Sequence, residues 1–349
     1  MICRQLFDSV SSTYTYLLAN RRNGEALIID PVIENVDHYI ELIDQLGCRL
    51  LKAVDTHTHA DHITGMGELR DRTRCVTVMG SKSGVDCVSM RVEEGETIDI
   101  DGLSMRVLYT PGHTDDSYSF YMDDRVFTGD TLLIRGTGRT DFQNGDPHAS
   151  YDSIVNKLFR LPEETLVYPA HDYKGDTVST IGEEIAFNPR LKGKSESEYV
   201  EIMNGLNLPN PKLMDVAVPA NLKVGFKAED PEIIESTLTT EKLIANQNDH
   251  IFVDLREESE RCRDGVIPGS IHVPYIHLKE YIKPGGMLCA MCNQVEDKDV
   301  ILYCAFGERS ALALKELHAC GIKNVKHMGG GIDAWRQAGG TIEEARQSA

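Results

Sequence analysis

The chain has 349 residues, enough for about two domains at the usual 100–200 residues each. With 41% hydrophobic and 26% charged residues it can bury a core, while 36 basic against 55 acidic residues leave a net charge of −19. So acidic a surface repels phosphate backbones and anionic lipid, which disfavours nucleic-acid and membrane partners.

At the start, Tyr14, Tyr16 and Leu18 alternate as in a strand, and no basic-then-apolar layout marks a targeting peptide. No apolar run reaches the roughly 18 residues of a membrane helix. The nine cysteines are odd in number and irregularly spaced, which predicts reduced thiols and a cytoplasmic protein rather than a disulfide scaffold.

Four later segments share one pattern: LKAVDTHTHADH, MRVLYTPGHTDD, RVFTGDTLL and LVYPAHDY. Each is a short apolar run, read as a buried strand, that ends in His or Asp. Strands gathered in one sheet would bring these ends to one rim. Residues 188–241 are dense in proline and charge with weak helical periodicity, and read as an excursion closing a first domain. The spacing predicts a first domain over 1–223, a linker over 224–237 and a second domain over 238–349. In the second domain IFVDLRE, VILYCAFGERS and NVKHMGGG read as strands followed by loops. ALALKELHACGI reads as a helix with Leu314 and Leu317 on one face. That alternation predicts a parallel sheet covered on both sides.

The rim carries a metal-site pattern. His57, His59, Asp61 and His62 lie within six residues; His113 follows Pro111-Gly112, Asp130 follows Gly129, and His171 follows Pro169-Ala170. These donors allow two arrangements. Two metals could be held, one by His57, His59 and His113, the other by Asp61, His62 and His171, with Asp130 bridging, which suits a metal-bound hydroxide nucleophile. Alternatively His57, His113 and Asp130 form a two-His, one-carboxylate face on a single iron.

THTHADH, TPGHT, FTGD and YPAHD resemble the metallo-β-lactamase superfamily, which implies a four-layer αββα sandwich over about the first 220 residues. LLIRGTGRTDFQNGDP, YPAHDYKGDTVSTIGEE, NPRL and NLPNPKLMDVAVPANLKVG resemble its persulfide dioxygenase branch. That resemblance implies one iron(II) per chain, held by His57, His113 and Asp130, oxidising glutathione persulfide with O2 to sulfite and glutathione. His59, Asp61, His62 and His171 would orient the ligands. A glutathione carrier has two carboxylates, and Arg135, Arg139 and Tyr173 are placed to bind it; Arg139 could instead pair with Asp141 or Asp172. Related dioxygenases imply a homodimer.

Cys304-Ala305-Phe306-Gly307-Glu308-Arg309-Ser310 joins a strand to a helix. The helix amino terminus and successive backbone NH groups there favour a thiolate and cradle an anion, and Arg309 adds a positive charge. With FVDLRE, VIPGSIHVPY and MGGGIDAWRQAGG, the loop resembles the rhodanese sulfurtransferases, implying an α/β domain in which Cys304 carries a sulfane sulfur. Ala305, Phe306, Gly307 and Glu308 would cradle it. Ala305 stands where many relatives carry a basic residue, which opens the donor's identity. Cys289 and Cys292 form a lone CxxC, expected in a loop between strands and weak as a zinc site.

Together these readings describe a bifunctional sulfur enzyme handling glutathione persulfide, O2, sulfite and thiosulfate. Two rivals are a binuclear zinc thioester hydrolase of glyoxalase II type with an accessory rhodanese, and a rhodanese-type persulfide relay or sensor.

Overall fold

A computed structural model of the chain describes residues 1–85, 88–209, 211, 213–224, 230–294 and 298–345. The chain divides into two compact units, Met1–Asp86 with Met90–Gly225 and Cys87–Ser89 with Phe226–Ala349.

In the first unit, a six-stranded sheet runs in chain order: β1 Ile2–Asp8, β2 Thr13–Ala19, β3 Glu25–Ile29, β4 Arg49–Val54, β5 Val76–Gly80 and β6 Met90–Val92. Its first pairs are antiparallel and the β3–β4, β4–β5 and β5–β6 pairs parallel. The second sheet contains β7 Thr97–Ile100, β8 Leu103–Tyr109, β9 Tyr118–Met122, β10 Arg125–Gly129, β13 Leu166–Pro169 and β14 Ser179–Thr180, in the order β14-β13-β10-β9-β8-β7. A hairpin of β11 Leu132–Leu133 and β12 Gly136–Thr137 lies between β10 and β13.

The two sheets face each other through one apolar layer. Tyr16, Leu18, Ile29, Val54 and Val78 of the first meet Val107, Tyr118, Phe120 and Phe127 of the second. Helices cover the outer faces. On the first sheet, α1 Val36–Leu46 buries Val36, Tyr39, Ile43 and Leu46, a three-to-four spacing that makes one apolar stripe. It is followed by α2 Met66–Thr73. On the second, α3 Pro147–Asp152, α4 Ile181–Phe187 and α5 Glu196–Asn204 help cover Leu108, Val126 and Val167. The architecture is the αββα sandwich that the motifs implied.

All four His/Asp segments enter as expected, on β4, β8, β10 and β13. The span with weak periodicity nonetheless holds three helices: α5, α6 Met214–Asn221 and α7 Pro231–Ser236. Each is short, and α6 contains Pro219, so no stripe repeats long enough to be read from sequence. A Ser195–Glu198 capping box starts α5. Within the span read as a linker, α7 is followed by β15 Thr237–Leu238, which pairs with a strand of the second unit's sheet.

The second unit is a five-stranded parallel sheet ordered β15-β19-β18-β16-β17, with β16 His250–Asp254, β17 Ile271–His272, β18 Asp299–Tyr303 and β19 Val325–Met328. Strand alternation sends Val253, Val300 and Leu302 to one face and Phe252, Ile301 and Tyr303 to the other. The first face packs on α10 Leu278–Ile282, α11 Met287–Gln294 and α12 Glu308–Ala319, where Leu314 and Leu317 are buried. The second packs on α8 Thr240–Ala245 and on α13 Gly331–Gln337 with Trp335. The remaining helix, α9 Glu258–Asp264, follows β16.

Cys289 and Cys292 correct one expectation: they lie on α11 and not in a loop. A three-residue spacing puts both on the packed side, where Cys292 is buried and burial pushes its thiol up to about 11. All described cysteines are free, and no helix among the described residues is long and apolar enough to cross a membrane.

The two sheets of the first unit are also tied by a polar contact beside the rim. The buried Tyr16 hydroxyl donates to the Pro169 carbonyl at 2.6 Å and accepts from Gln5 Nε2 at 3.1 Å. Tyr16→Phe should cost about 1–3 kcal/mol by removing the hydroxyl donor from the buried Pro169 carbonyl, measured as a lower urea midpoint with an unchanged m-value.

Candidate metal centre and cysteine loop

β4 ends at Val54, and the chain then turns through Asp55 to His62 in a buried irregular segment. What shapes this segment is Asp30, one residue beyond β3. Its carboxylate accepts from Thr56 N at 2.7 Å, Thr56 Oγ1 at 3.0 Å and His59 Nε2 at 3.1 Å. From the far side, Asn221 of α6 donates to the carbonyls of His59 and His62 and accepts from Thr64 N, each at 2.9 Å. Both residues are buried.

Glycines aim two more donors. Gly112 has φ +143°, and a Cβ there would stand 2.3 Å from Ser150 Cα, so the turn before His113 admits no side chain. Gly129, with φ +53°, ends β10 against Thr56 and redirects the chain to Asp130.

The structure brings the expected donors together. His57, His113 and Asp130 offer ligand atoms all within 4.8 Å of one another, and so do His59, Asp61 and His62. Hydrogen bonds set the tautomers. His113 Nδ1 lies 2.7 Å from the Arg139 carbonyl and must donate there, leaving Nε2 bare and 3.5 Å from Asp130 Oδ2. His57 Nδ1 lies 3.0 Å from Thr56 Oγ1, whose proton goes to Asp30, so its Nε2 is also bare. Burial, reinforced by His59 and His113, holds His57 well below the ordinary imidazole range and therefore neutral. Asp130 Oδ1 is buried without a hydrogen-bond partner among the described residues. Two imidazole lone pairs and an orphaned carboxylate oxygen make a donor set that a divalent cation fits.

Beside it, His59 Nδ1 and His62 Nε2 are buried without hydrogen-bond partners among the described residues. His62 Nδ1 lies 3.2 Å from the Ile63 carbonyl. Burial, then His62, pulls His59 down to about 3, so it too is neutral. Asp61 lies 3.4 Å from His171 Nε2, whose Nδ1 faces the Ser12 carbonyl at 3.0 Å. Burial opposes a charge on His171, but the Asp130 and Asp61 carboxylates outweigh it and raise its pKa.

The donors open into a cleft of about 300 Å³ in the first unit. Arg135, Arg139 and Tyr173 line it, as expected, but both arginines are neutralised by neighbours. Arg135 pairs with Glu184 and Glu183, and Arg139 takes Asp141 in a two-pronged pair at 2.6 and 2.7 Å. The Tyr173 ring stacks parallel to His171 at 5.8 Å. Sequence reasoning missed Arg190. It lines the cleft half-buried, donates to the Thr137 carbonyl at 2.6 Å, and has no carboxylate partner among the described residues. Asp30 and Asn221 were missed too. IIDP, an acid at a strand end before proline, was the available signal for Asp30; Asn221 lies in the segment VPANLKVG, with nothing in the pattern to give it a role.

In the second unit, the cysteine loop joins β18 to α12, and Gly307 caps the helix in a left-handed conformation. Its NH donates to Cys304 Sγ at 3.1 Å. Arg309 is fully buried, and its guanidinium holds Glu260 at 2.6 and 2.7 Å, while its Nε has no hydrogen-bond partner among the described residues. Ala305, Phe306 and Glu308 complete the loop, and the Ala305 carbonyl accepts from Asp333 N.

A model described as "Metallo-beta-lactamase superfamily" matches residues 9–86 and 91–171, and one described as "Rhodanese-like domain" matches 239–338. The chain is 48% identical over 230 residues to the mitochondrial persulfide dioxygenase ETHE1 of Homo sapiens, covering 65% of this chain and 90% of that protein. The crystal structure of ETHE1 from Myxococcus xanthus superposes with a TM-score of 0.63 at 54% identity, covering 65% of this chain and all of that one. A metallo-β-lactamase from Staphylococcus aureus COL, 21% identical with TM-score 0.60, covers 94% of this chain and 98% of its own, and shares the fold. Both resemblances carried by the motifs are borne out.

These contacts can be tested by substitution. Asn221→Leu leaves two carbonyls and one NH of the His59–Thr64 segment unpaired. It should cost about 2–4 kcal/mol and weaken metal retention, read by dialysis against a chelator. For Glu260, burial raises the carboxyl, but the Arg309 charge and hydrogen bonds, with the Glu257 NH, bring it below its ordinary value. Its contribution is therefore full above the ordinary carboxylate range and lost as pH falls through the lowered folded value. Glu260→Gln should destabilise by about 3–5 kcal/mol at pH 7, with the gap to wild type narrowing in denaturant titrations at acid pH.

Proposed function

Since the chain belongs to the persulfide dioxygenase family of the metallo-β-lactamase superfamily and carries a rhodanese-like domain behind that part, we propose that it is a bifunctional sulfur enzyme. Residues 1–223 would form the dioxygenase and 238–349 the sulfurtransferase. The first oxidises glutathione persulfide; one persulfide, one O2 and one water give glutathione and sulfite. The second moves sulfane sulfur through Cys304, taking glutathione persulfide and sulfite to glutathione and thiosulfate or the reverse as concentrations dictate.

The observation that carries this reading is the orphaned Asp130 Oδ1 beside two imidazoles whose bare Nε2 atoms are fixed by hydrogen bonds to Arg139 and Thr56. His57, His113 and Asp130 would hold one iron(II). When bound, iron supplies the electronic route by which O2 reacts with the paired electrons of a persulfide sulfur. The chain's own residues do the rest. His59, Asp61, His62 and His171 keep the wall of the site rigid through Asp30, Ile63 and Ser12. Arg190, without a carboxylate of its own, binds a glutathione carboxylate, assisted by Lys174 at the rim. Tyr173 closes the cleft over His171 and hydrogen-bonds the substrate.

The second cluster, His59, Asp61 and His62, favours a rival: a two-zinc thioester hydrolase of glyoxalase II type. Metal analysis with oxygen uptake separates them. We expect close to one iron per chain and persulfide-dependent uptake with sulfite formed; two zincs and no uptake would point to the hydrolase. Asp130→Ala should lower uptake by at least about 100-fold, since even outer-shell changes reach that range, while sulfur transfer persists. Cys304→Ser should do the converse, and loss of oxygen uptake in that variant would refute independent sites.

A further inference from the structure

Behind Cys304 lies a line of three buried or half-buried polar side chains that the sulfurtransferase reading does not use. Cys304 Sγ lies 3.9 Å from Ser310 Oγ. Ser310 Oγ lies 3.2 Å from His327 Nδ1, and His327 Nε2 lies 2.8 Å from Thr237 Oγ1. Thr237 in turn donates to the Ile233 carbonyl at 2.6 Å. His327 stands on β19 between Val325 and Met328, both buried and apolar, where burial alone pulls it down to about 4. A neutral histidine in such a place is costly unless both ring nitrogens find partners, and here two hydroxyls supply them.

The directions of these bonds follow from counting protons. Thr237 gives its proton to Ile233, so it accepts from His327 Nε2–H. That leaves Nδ1 bare to accept from the Ser310 hydroxyl, in competition with the Gly307 carbonyl at 2.9 Å. With its proton turned to His327, Ser310 Oγ presents a lone pair to the Cys304 thiol. We propose that His327 is a positioning residue for sulfur transfer, and that Ser310 is the route by which the Cys304 proton leaves and returns.

The proposal rests on the sulfurtransferase reading. As Cys304 attacks the outer sulfur of thiosulfate, its thiol proton passes to Ser310 Oγ while the Ser310 proton passes to His327 Nδ1. The Cys304 S–S bond forms, the thiosulfate S–S bond breaks, and its electron pair leaves on sulfite; nothing external is oxidised or reduced. The imidazolium then returns its proton through the same hydroxyl when Cys304 is released as a thiol. Burial keeps the proton's stay on His327 brief, which suits a shuttle and not a store. Charged groups at the loop include Arg309 and Glu308 on α12 and Glu260 on α9. Arg309 is paired with Glu260.

The test uses the full-length metal-loaded chain, with thiosulfate as donor, cyanide as acceptor and thiocyanate measured from pH 5 to 9. His327→Leu and Ser310→Ala should each lower kcat/KM by about tenfold near pH 6, more than the fivefold that a single lost hydrogen bond costs. Removing the proton acceptor should also move the acid limb of the profile to higher pH. His327→Asn, whose carboxamide oxygen can accept the Ser310 hydrogen bond but cannot take its proton, should stay within about threefold of His327→Leu, and recovery to the wild-type rate would overturn the relay. An acid limb unmoved in both His327→Leu and Ser310→Ala would overturn the relay, even if kcat fell. Should His327→Leu fail to fold, the acid limb of Ser310→Ala decides between the same two outcomes. Wild-type transfer no faster than that of Cys304→Ser would overturn the sulfurtransferase reading itself, and that failure is distinct because the wild type is then inactive.

Discussion

The metal centre depends on one buried carboxylate. Asp30 receives the Thr56 NH, the Thr56 hydroxyl and the His59 ring, and through Thr56 it sets which nitrogen of His57 is bare. A single acid beyond β3 thus fixes the backbone turn after β4, the orientation of one imidazole and the tautomer of another. Asp30 itself has φ +50°, an uncommon conformation for aspartate, held by this web of contacts. Asn221 braces the same segment from α6, so a helix late in the unit is part of the site's wall.

Electrostatics in the cleft follow from the acidic composition. With 55 acids against 36 bases, carboxylate partners are plentiful, and Arg135 and Arg139 each have one. Among the described residues Arg190 does not, because the neighbours it reaches are the Thr137 carbonyl and hydroxyl. An arginine without an acid inside a cleft is poised for an anionic ligand. In the second unit the same logic runs the other way. Arg309, read from the sequence as adding a positive charge at the cysteine loop, is hydrogen-bonded to buried Glu260, and the Gly307 NH donates to the sulfur. Loop backbone and helix terminus supply the polarisation there, with the Ser310 hydroxyl behind.

Much of the fold was legible because strands declare themselves locally. The runs in LKAV, MRVLY, RVFTG and LVYP are β-branched and aromatic, each stops at a polar cluster, and all became strands. The cysteine loop was legible for the same reason, between the VILY strand and a helix with Leu314 and Leu317 in register. Helices of nine, eight and six residues were not, since a pattern of period 3.6 needs more turns than they have. The helix bearing Cys289 and Cys292 was missed because CxxC spacing also fits a loop, and only the packing of Cys292 against Leu288 and Ile322 decides it.

By itself the sequence determined which donors exist and which strand ends carry them. Residue type and local periodicity are properties of contiguous chain, so His57, His113, Asp130 and Cys304 could be named from it. The tertiary structure decided what each donor's second atom touches. Asp30 on His59, Arg139 O on His113, Glu260 on Arg309 and His327 on Ser310 are contacts between residues 17 to 49 positions apart. Most of them join separate elements, so they depend on how sheets and helices pack, which no local pattern encodes. Those contacts set tautomers, neutralise or free cations, and orient the serine hydroxyl, and so they turn a set of ligand types into a site with defined chemistry.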